Sequence, residues 1–156
     1  MAEDAQTVTI SAELAYRDPE GALAWLTKAF GFETRLVVAG ADGKLIYAAS
    51  GAGGTVAAIL PESPPVLASP KTSGASSCTV HLRYAPGTID IDEHFARAKA
   101  AGAEVLIEPR QEFYGDLEYL CRDPEGHIWN VGLRGDAPPG PPPEGITVRF
   151  PSGRPR

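Results

Sequence analysis

Apolar residues along the chain recur with two periods, and the order of those periods is the same in both halves. Between residues 8 and 16, Val8, Ile10, Ala12, Leu14 and Tyr16 fall on one side, and Thr9, Ser11, Glu13 and Ala15 on the other. This period of two predicts a strand with one face on a core. Asp18-Pro19 then predicts a helix start, a capping carboxylate ahead of proline at the first helical position. Ala22, Leu23, Trp25, Leu26, Ala29 and Phe30 form a stripe at helical spacing, which Gly31 stops. Three strand-like runs follow at 34–39, 44–49 and 55–60. Asp42-Gly43 makes a tight turn between the first two, and the glycine-rich stretch 51–54 joins the second pair.

Residues 61–76, PESPPVLASPKTSGAS, read as a proline- and serine-rich connector with little helix or strand potential. The earlier order then returns. Cys78, Val80, Leu82 and Tyr84 alternate with Thr79, His81 and Arg83. Asp90 with Glu93 predicts a capping box, Ile91, Phe95, Ala98 and Ala101 give the helical stripe, and Gly102 ends it. "GAEVLIE" stands where "GFETRLV" stood, and strands at 118–122 and 128–133 flank the turn DPEGH. Two halves with one order of elements are an internal duplication. The predicted fold class is therefore α+β, built from two βαβββ modules. The first module spans 1–60, the connector 61–76, the second module 77–133, and a proline-rich tail 134–156, all in one structural domain. The tail cannot build a core. Its apolar piece at 146–150 reads as a frayed end rather than a docked strand.

Charge and cysteine content narrow the function classes. The net charge of −6 comes without a basic stripe, which argues against nucleic acid and anionic membrane as partners. The only basic cluster is terminal: Arg149, Arg154 and Arg156. The acidic start lacks a secretory pattern, and the apolar runs are far too short for a bilayer span, so the expected location is the cytoplasm. Cys78 and Cys121 lack metal or redox spacing and sit inside apolar strand patterns, which predicts two buried, reduced thiols. No Ser-His-Asp or Cys-His set and no phosphate-cradling glycine loop can be argued.

The stretches "YRDPEGALAWLTKAFGFE", "DIDEHFARAKAAGAEVLIEP" and "YGDLEYLCRDPEGHIWNVG", in this order within a duplicated unit, resemble the vicinal oxygen chelate superfamily. That superfamily includes glyoxalase I, extradiol dioxygenases, and bleomycin- and mitomycin-binding resistance proteins. The last stretch looks most like its small bacterial branch ending in YGD…DPxGH. The resemblance covers residues 8–133. It implies that the two modules form a curved mixed sheet, a half-barrel or cup with helices outside, which holds ligand or metal on its concave surface, and it implies a homodimer.

Parity assigns the faces independently. The apolar set of the first strand lies against its helix, so Thr9, Ser11 and Glu13 point into the cup. Thr79, His81 and Arg83 point inward from the fifth strand; Ile128, Asn130 and Gly132 do so from the last, with Trp129, Val131 and Leu133 on the helix side. The resemblance places metal-ligand positions of the family's enzymes on Ser11 and Asn130, with His81 as a third. Catalytic metal sites normally keep three protein donors, and one imidazole with a neutral amide falls short, so the expected cofactor is none. The alternative is a divalent metal such as Zn, Ni, Mn or Fe held through Glu13 and His81, although such a pair more often hydrogen-bonds internally.

His81 is either a ligand contact or a structural histidine. Arg83 either fixes an anionic or carbonyl group or salt-bridges Glu13. His94 reads as part of its helix's surface, and His127 as a turn residue. Trp25, Phe30 and Trp129 read as core. Phe113 and Tyr114, in the turn EFYGD, and Tyr47 are the aromatic candidates for stacking a flat ligand, while Asp116 reads as closing its turn. The candidate ligand-binding set is thus Ser11, Glu13, Tyr47, His81, Arg83, Phe113, Tyr114 and Asn130. The expected function is binding a small organic molecule, an antibiotic or aromatic metabolite, without chemistry, antibiotic resistance being one such role. The alternative is a metal-dependent lyase, isomerase or dioxygenase of the same superfamily. A third reading makes the proline-rich tail the active part of an interaction protein.

Overall fold

The computed structural model describes residues 10–136 and 140–151. Val8, Thr9, Arg154 and Arg156 lie outside the described residues. The first repeat comprises β1 (Glu13–Tyr16), α1 (Pro19–Phe30), β2 (Glu33–Ala39), β3 (Leu45–Gly51) and β4 (Ala57–Pro61). A short helix α2 (Pro70–Ser73) precedes β5 (Thr79–Tyr84), α3 (Ile91–Ala100), β6 (Glu104–Gln111), β7 (Leu117–Arg122) and β8 (Ile128–Leu133). Each repeat makes one four-stranded mixed sheet, in the orders β1-β4-β3-β2 and β5-β8-β7-β6, giving the expected α+β architecture. The first and last strands of each repeat pair in parallel, and the others antiparallel.

The helices begin where the caps predict. Asp18 accepts the Gly21 N–H at 2.9 Å, and Asp90 accepts those of Asp92 and Glu93 at 2.9 and 3.1 Å. Gly31 adopts φ 69°, a left-handed conformation that costs glycine least, and ends α1. The stripe of α1 is buried throughout. With Leu14, Tyr16, Ile59, Tyr119, Cys121, Trp129 and Val131 it forms one core shared by both sheets. The two helices also meet each other: Trp25 Nε1–H donates to the Ala101 carbonyl at 2.9 Å, and Arg97 Nε–H to that of Ala29 at 3.0 Å.

The turn between β7 and β8 ties the repeats together. Tyr16 Oη donates to Asp123 Oδ2 at 2.6 Å, and Trp129 Nε1–H to the same oxygen at 3.2 Å. The N–H groups of Glu125 and His127 occupy Oδ1, each at 3.0 Å, so this buried carboxylate is fully used. Burial, then the Asp123 charge, holds the Tyr16 phenol protonated well above its ordinary range. Glu125 accepts the N–H groups of Arg17 and Asp18 at 2.8 and 2.9 Å and the Ser69 hydroxyl at 2.5 Å. Burial pushes the Glu125 carboxyl up, but these hydrogen bonds outweigh it and leave it below its ordinary value. His127 takes the turn role expected of it, donating from Nε2 to the Ala15 carbonyl at 2.8 Å.

Five expectations need correction. The first strand is regular only over Glu13–Tyr16, and Ile10 is exposed, because β4 offers partners only to those four residues. Ala15 is buried although parity set it on the wetter side. The connector is not featureless: Ser69 caps the Pro70–Ser73 turn of helix, and Ser63 bridges Leu67. Cys78 is exposed because β5 starts one residue later; Cys121 is buried, and burial followed by the Asp123 charge pushes its thiol up to about 12. His94 is buried rather than on the helix surface, since the inward line of α3 runs Ile91, His94, Ala98. Its ring stacks on Phe30, with centroids 5.6 Å apart, between the hydroxyls of Tyr119 at 2.7 Å and Tyr84 at 3.3 Å. Residues 146–150 carry no strand, and Ile146, Val148 and Phe150 are exposed.

Candidate functional site

Strand register brings the second sheet's polar residues to one face. His81 pairs with Asn130, Arg83 with Gly132, and Glu118 with Gly132 from the other side. Paired residues share a face, so His81, Arg83, Asn130 and Glu118 stand around Gly132 on the face away from the helices. Glu118 is the centre of the group and is 5% exposed. Its Oε2 accepts from Tyr114 Oη at 2.8 Å and Asn130 Nδ2 at 3.1 Å. Its Oε1 lies 3.4 Å from His81 Nε2 and 4.0 Å from an Arg83 terminal nitrogen. Burial, then the hydrogen bond and charge of Glu118, raise the Tyr114 phenol above its ordinary value and keep it a donor.

Gly132 makes the close approach possible. A Cβ there would stand 3.1 Å from His81 Nε2 and 3.2 Å from Glu118 Cγ and Oε1, closer than side chains normally tolerate. Arg83 spends its charge on Asp116, at 2.6 Å, and not on Glu13. Asp116 therefore does more than close its turn: it anchors Arg83 and lies near the Gly135 N–H at 3.4 Å. His81 likewise meets Glu118 rather than Glu13.

An open groove of about 1050 Å³ runs between the start of the first sheet and β5. Ser11, Glu13, His81 and Arg83 all line it, with Trp129 and Tyr84 behind. Phe113 meets Tyr114 edge to face, centroids 5.1 Å apart, beside Glu118 but not among the residues that line the groove. Tyr47 stands on the first sheet opposite Val38, outside this groove. The corresponding face of that sheet is apolar toward its β2 edge: register sets Leu36 beside Ala49 and Val38 beside Tyr47, and Leu36, Val37 and Val38 on the edge strand β2 are exposed.

The donors do not fit a divalent metal held by three protein ligands. Glu13 and His81 line one groove, but among the described residues no three His, Cys, Asp or Glu side chains converge as a metal would require. The carboxylate nearest His81 already has Oε2 committed to two donors. Sequence reasoning missed Glu118 and the anchoring role of Asp116. The available signal was that Glu118 alternates with Tyr119 and Cys121 in LEYLCR, which sets it on the face opposite the core.

Residues 8–131 match the family model of the Glyoxalase/Bleomycin resistance protein/Dioxygenase superfamily. An uncharacterized protein of Mycobacterium bovis is 32% identical over 127 residues, covering 79% of this chain and 81% of that protein. The crystal structure of TioX from Micromonospora sp. ML1 superposes with a TM-score of 0.63 at 33% identity, covering 83% of this chain and 98% of TioX. TnmS3, an antibiotic binding protein from Streptomyces sp. CB03234, shares the fold at a TM-score of 0.61 and 18% identity, over 85% of this chain and 100% of its own. The repeat order, the paired mixed sheets and these matches agree: the chain belongs to the Glyoxalase/Bleomycin resistance protein/Dioxygenase superfamily.

Proposed function

We propose that this chain is a small-molecule binding protein that takes up an antibiotic or a flat aromatic metabolite without transforming it, and that it works as a homodimer. The observation carrying this reading is the lining of the groove. Its ionisable side chains Glu13, His81 and Arg83 stand among mostly apolar neighbours, His81 and Arg83 reaching toward Glu118, and among the described residues no three His, Cys, Asp or Glu side chains converge as metal donors. A few placed polar groups among apolar walls suit orientation and specificity. The antibiotic-binding description of TnmS3 supports the same class. The dimer is supported by the aliphatic row on β2, where a second copy would cover Leu36 and Val38.

The test is a titration of untagged protein with planar aromatic antibiotics. It is read by quenching of tryptophan fluorescence and by amide shifts at His81, Arg83 and Asn130, alongside metal analysis and sedimentation. Saturable quenching with shifts on these strands is expected from a dimer. Stoichiometric Zn, Ni, Mn or Fe that is lost in His81→Ala overturns the proposal in favour of a metal-dependent lyase, isomerase or dioxygenase.

A further inference from the structure

The polar group around Glu118, which reaches the groove through His81 and Arg83, is unbalanced in charge and in hydrogen bonding. Asp116 and Glu118 are both buried, and Arg83 is the one permanent cation bridging them. Two carboxylates against one guanidinium leave a net negative charge in a region of low dielectric, where it is felt strongly. The hydrogen bonding is uneven too. Glu118 Oε2 has two good donors, whereas Glu118 Oε1 and Asn130 Oδ1 are buried without a hydrogen-bond partner. A buried acceptor left unmet costs about 1–3 kcal/mol, and more when it is charged. Over Glu118 Oε1 lies His81, whose imidazole is 39% exposed, stands on the edge strand β5 and approaches no closer than 3.4 Å. The imidazole lies over the bare backbone of Gly132, with no side chain beneath to hold it.

We infer that the site selects ligands carrying a cationic nitrogen, an ammonium or amidinium, which docks on Glu118 Oε1 as His81 turns aside. This deepens the small-molecule reading above and rests on it. The charge balance runs against the expectation that Arg83 receives an anionic group. Arg83 is held by Asp116 at 2.6 Å, and a carboxylate entering the groove meets two buried carboxylates for one guanidinium. A cation does the reverse: it neutralises the excess charge and supplies the donor that Oε1 lacks. Exclusion of anions then follows from repulsion as much as from any contact.

Three probes with one aromatic body and similar size separate these cases by charge: 2-naphthylmethylamine, 2-naphthylmethanol and 2-naphthoate. Each is titrated at pH 7.5 into the full chain and followed by amide shifts and calorimetry. The amine is expected to bind at least tenfold tighter than the alcohol and the carboxylate weakest, with shifts at His81, Glu118 and Asn130. Glu118→Gln is expected to reduce the amine-over-alcohol ratio about tenfold. Because that variant changes a buried group, His81→Ala on the exposed side of the pair provides a second reading. It uncovers Oε1 and is expected to raise amine affinity several-fold. Equal binding of all three probes, or preference for the carboxylate, overturns the cation inference while leaving the small-molecule reading intact. Undiminished amine preference in Glu118→Gln, or weaker amine binding in His81→Ala, overturns the docking geometry. Absence of any shift on these strands with every probe defeats both readings.

Discussion

His94 sets a pH limit on the fold, and its size can be worked out. The ring is 3% exposed, stacked on Phe30 and held between Tyr84 and Tyr119, with Arg97 nearby on the same helix. Burial first, and the Arg97 charge second, lower its pKa from 6.5 to about 4. The folded state thus keeps this histidine neutral where the unfolded chain protonates it. Stability is intact above 6.5 and is lost as pH falls toward 4, below which no further loss arises from this group. Integrating between pH 7.5 and 4.5 gives a loss of about 2–3 kcal/mol. Carboxylates titrate in part of the same window, so the measurement is a difference. Urea unfolding at both pH values is compared for the wild type and His94→Gln, which removes the titration while keeping a polar group of similar reach. The wild type should lose about 2–3 kcal/mol more than the variant on acidification. Equal losses in both proteins would show that the imidazole is not held neutral by its burial.

Three shorter predictions concern the joints of the structure. Tyr16→Phe removes one of two donors from Asp123 Oδ2 and should cost about 1–3 kcal/mol in denaturant unfolding. Asp18→Ala uncaps α1 at the Gly21 N–H and should cost about 0.5–2 kcal/mol, read in the same assay. Gly132→Ala drives a methyl between His81 and Glu118 at 3.1–3.2 Å. It should cost about 1–3 kcal/mol and displace the His81 side-chain resonances, whereas Gly53→Ala, with nothing within 4 Å of its Cβ position but φ +57, should leave those resonances alone.

What the sequence revealed and what it concealed divide along physical lines. The α1 helix was fully legible because its evidence is local: Asp18 caps it, Pro19 opens it, six apolar residues share one face, and Gly31 at φ 69° closes it. The inward positions of His81, Arg83 and Asn130 were legible because strand parity fixes a face without knowledge of partners. Glu118 was not, since a carboxylate in a strand reads as a solvated residue. Its burial arises only from register, which sets it across Gly132 from β5 and beneath Tyr114 and Asn130. His94 escaped for a related reason. A helical stripe fixes a broad arc, and tertiary packing against Phe30 and Tyr119 decided that His94, more than Phe95, would turn inward. The short helix at Pro70–Ser73 had a serine cap and a proline start but no apolar stripe to advertise it.

The hairpin carrying Asp123 and Glu125 has a thermodynamic consequence for the duplication itself. It belongs to the second repeat, yet its two carboxylates receive hydrogen bonds from Tyr16, Arg17, Asp18 and Ser69. Separating the copies would strand a buried acid on one fragment and bare amides on the other. Melting one copy therefore exposes the wound in its neighbour, and the chain gains or loses its native state as a single cooperative body. Once fused, neither copy was free to decay, whatever drift its groove-facing surface could tolerate.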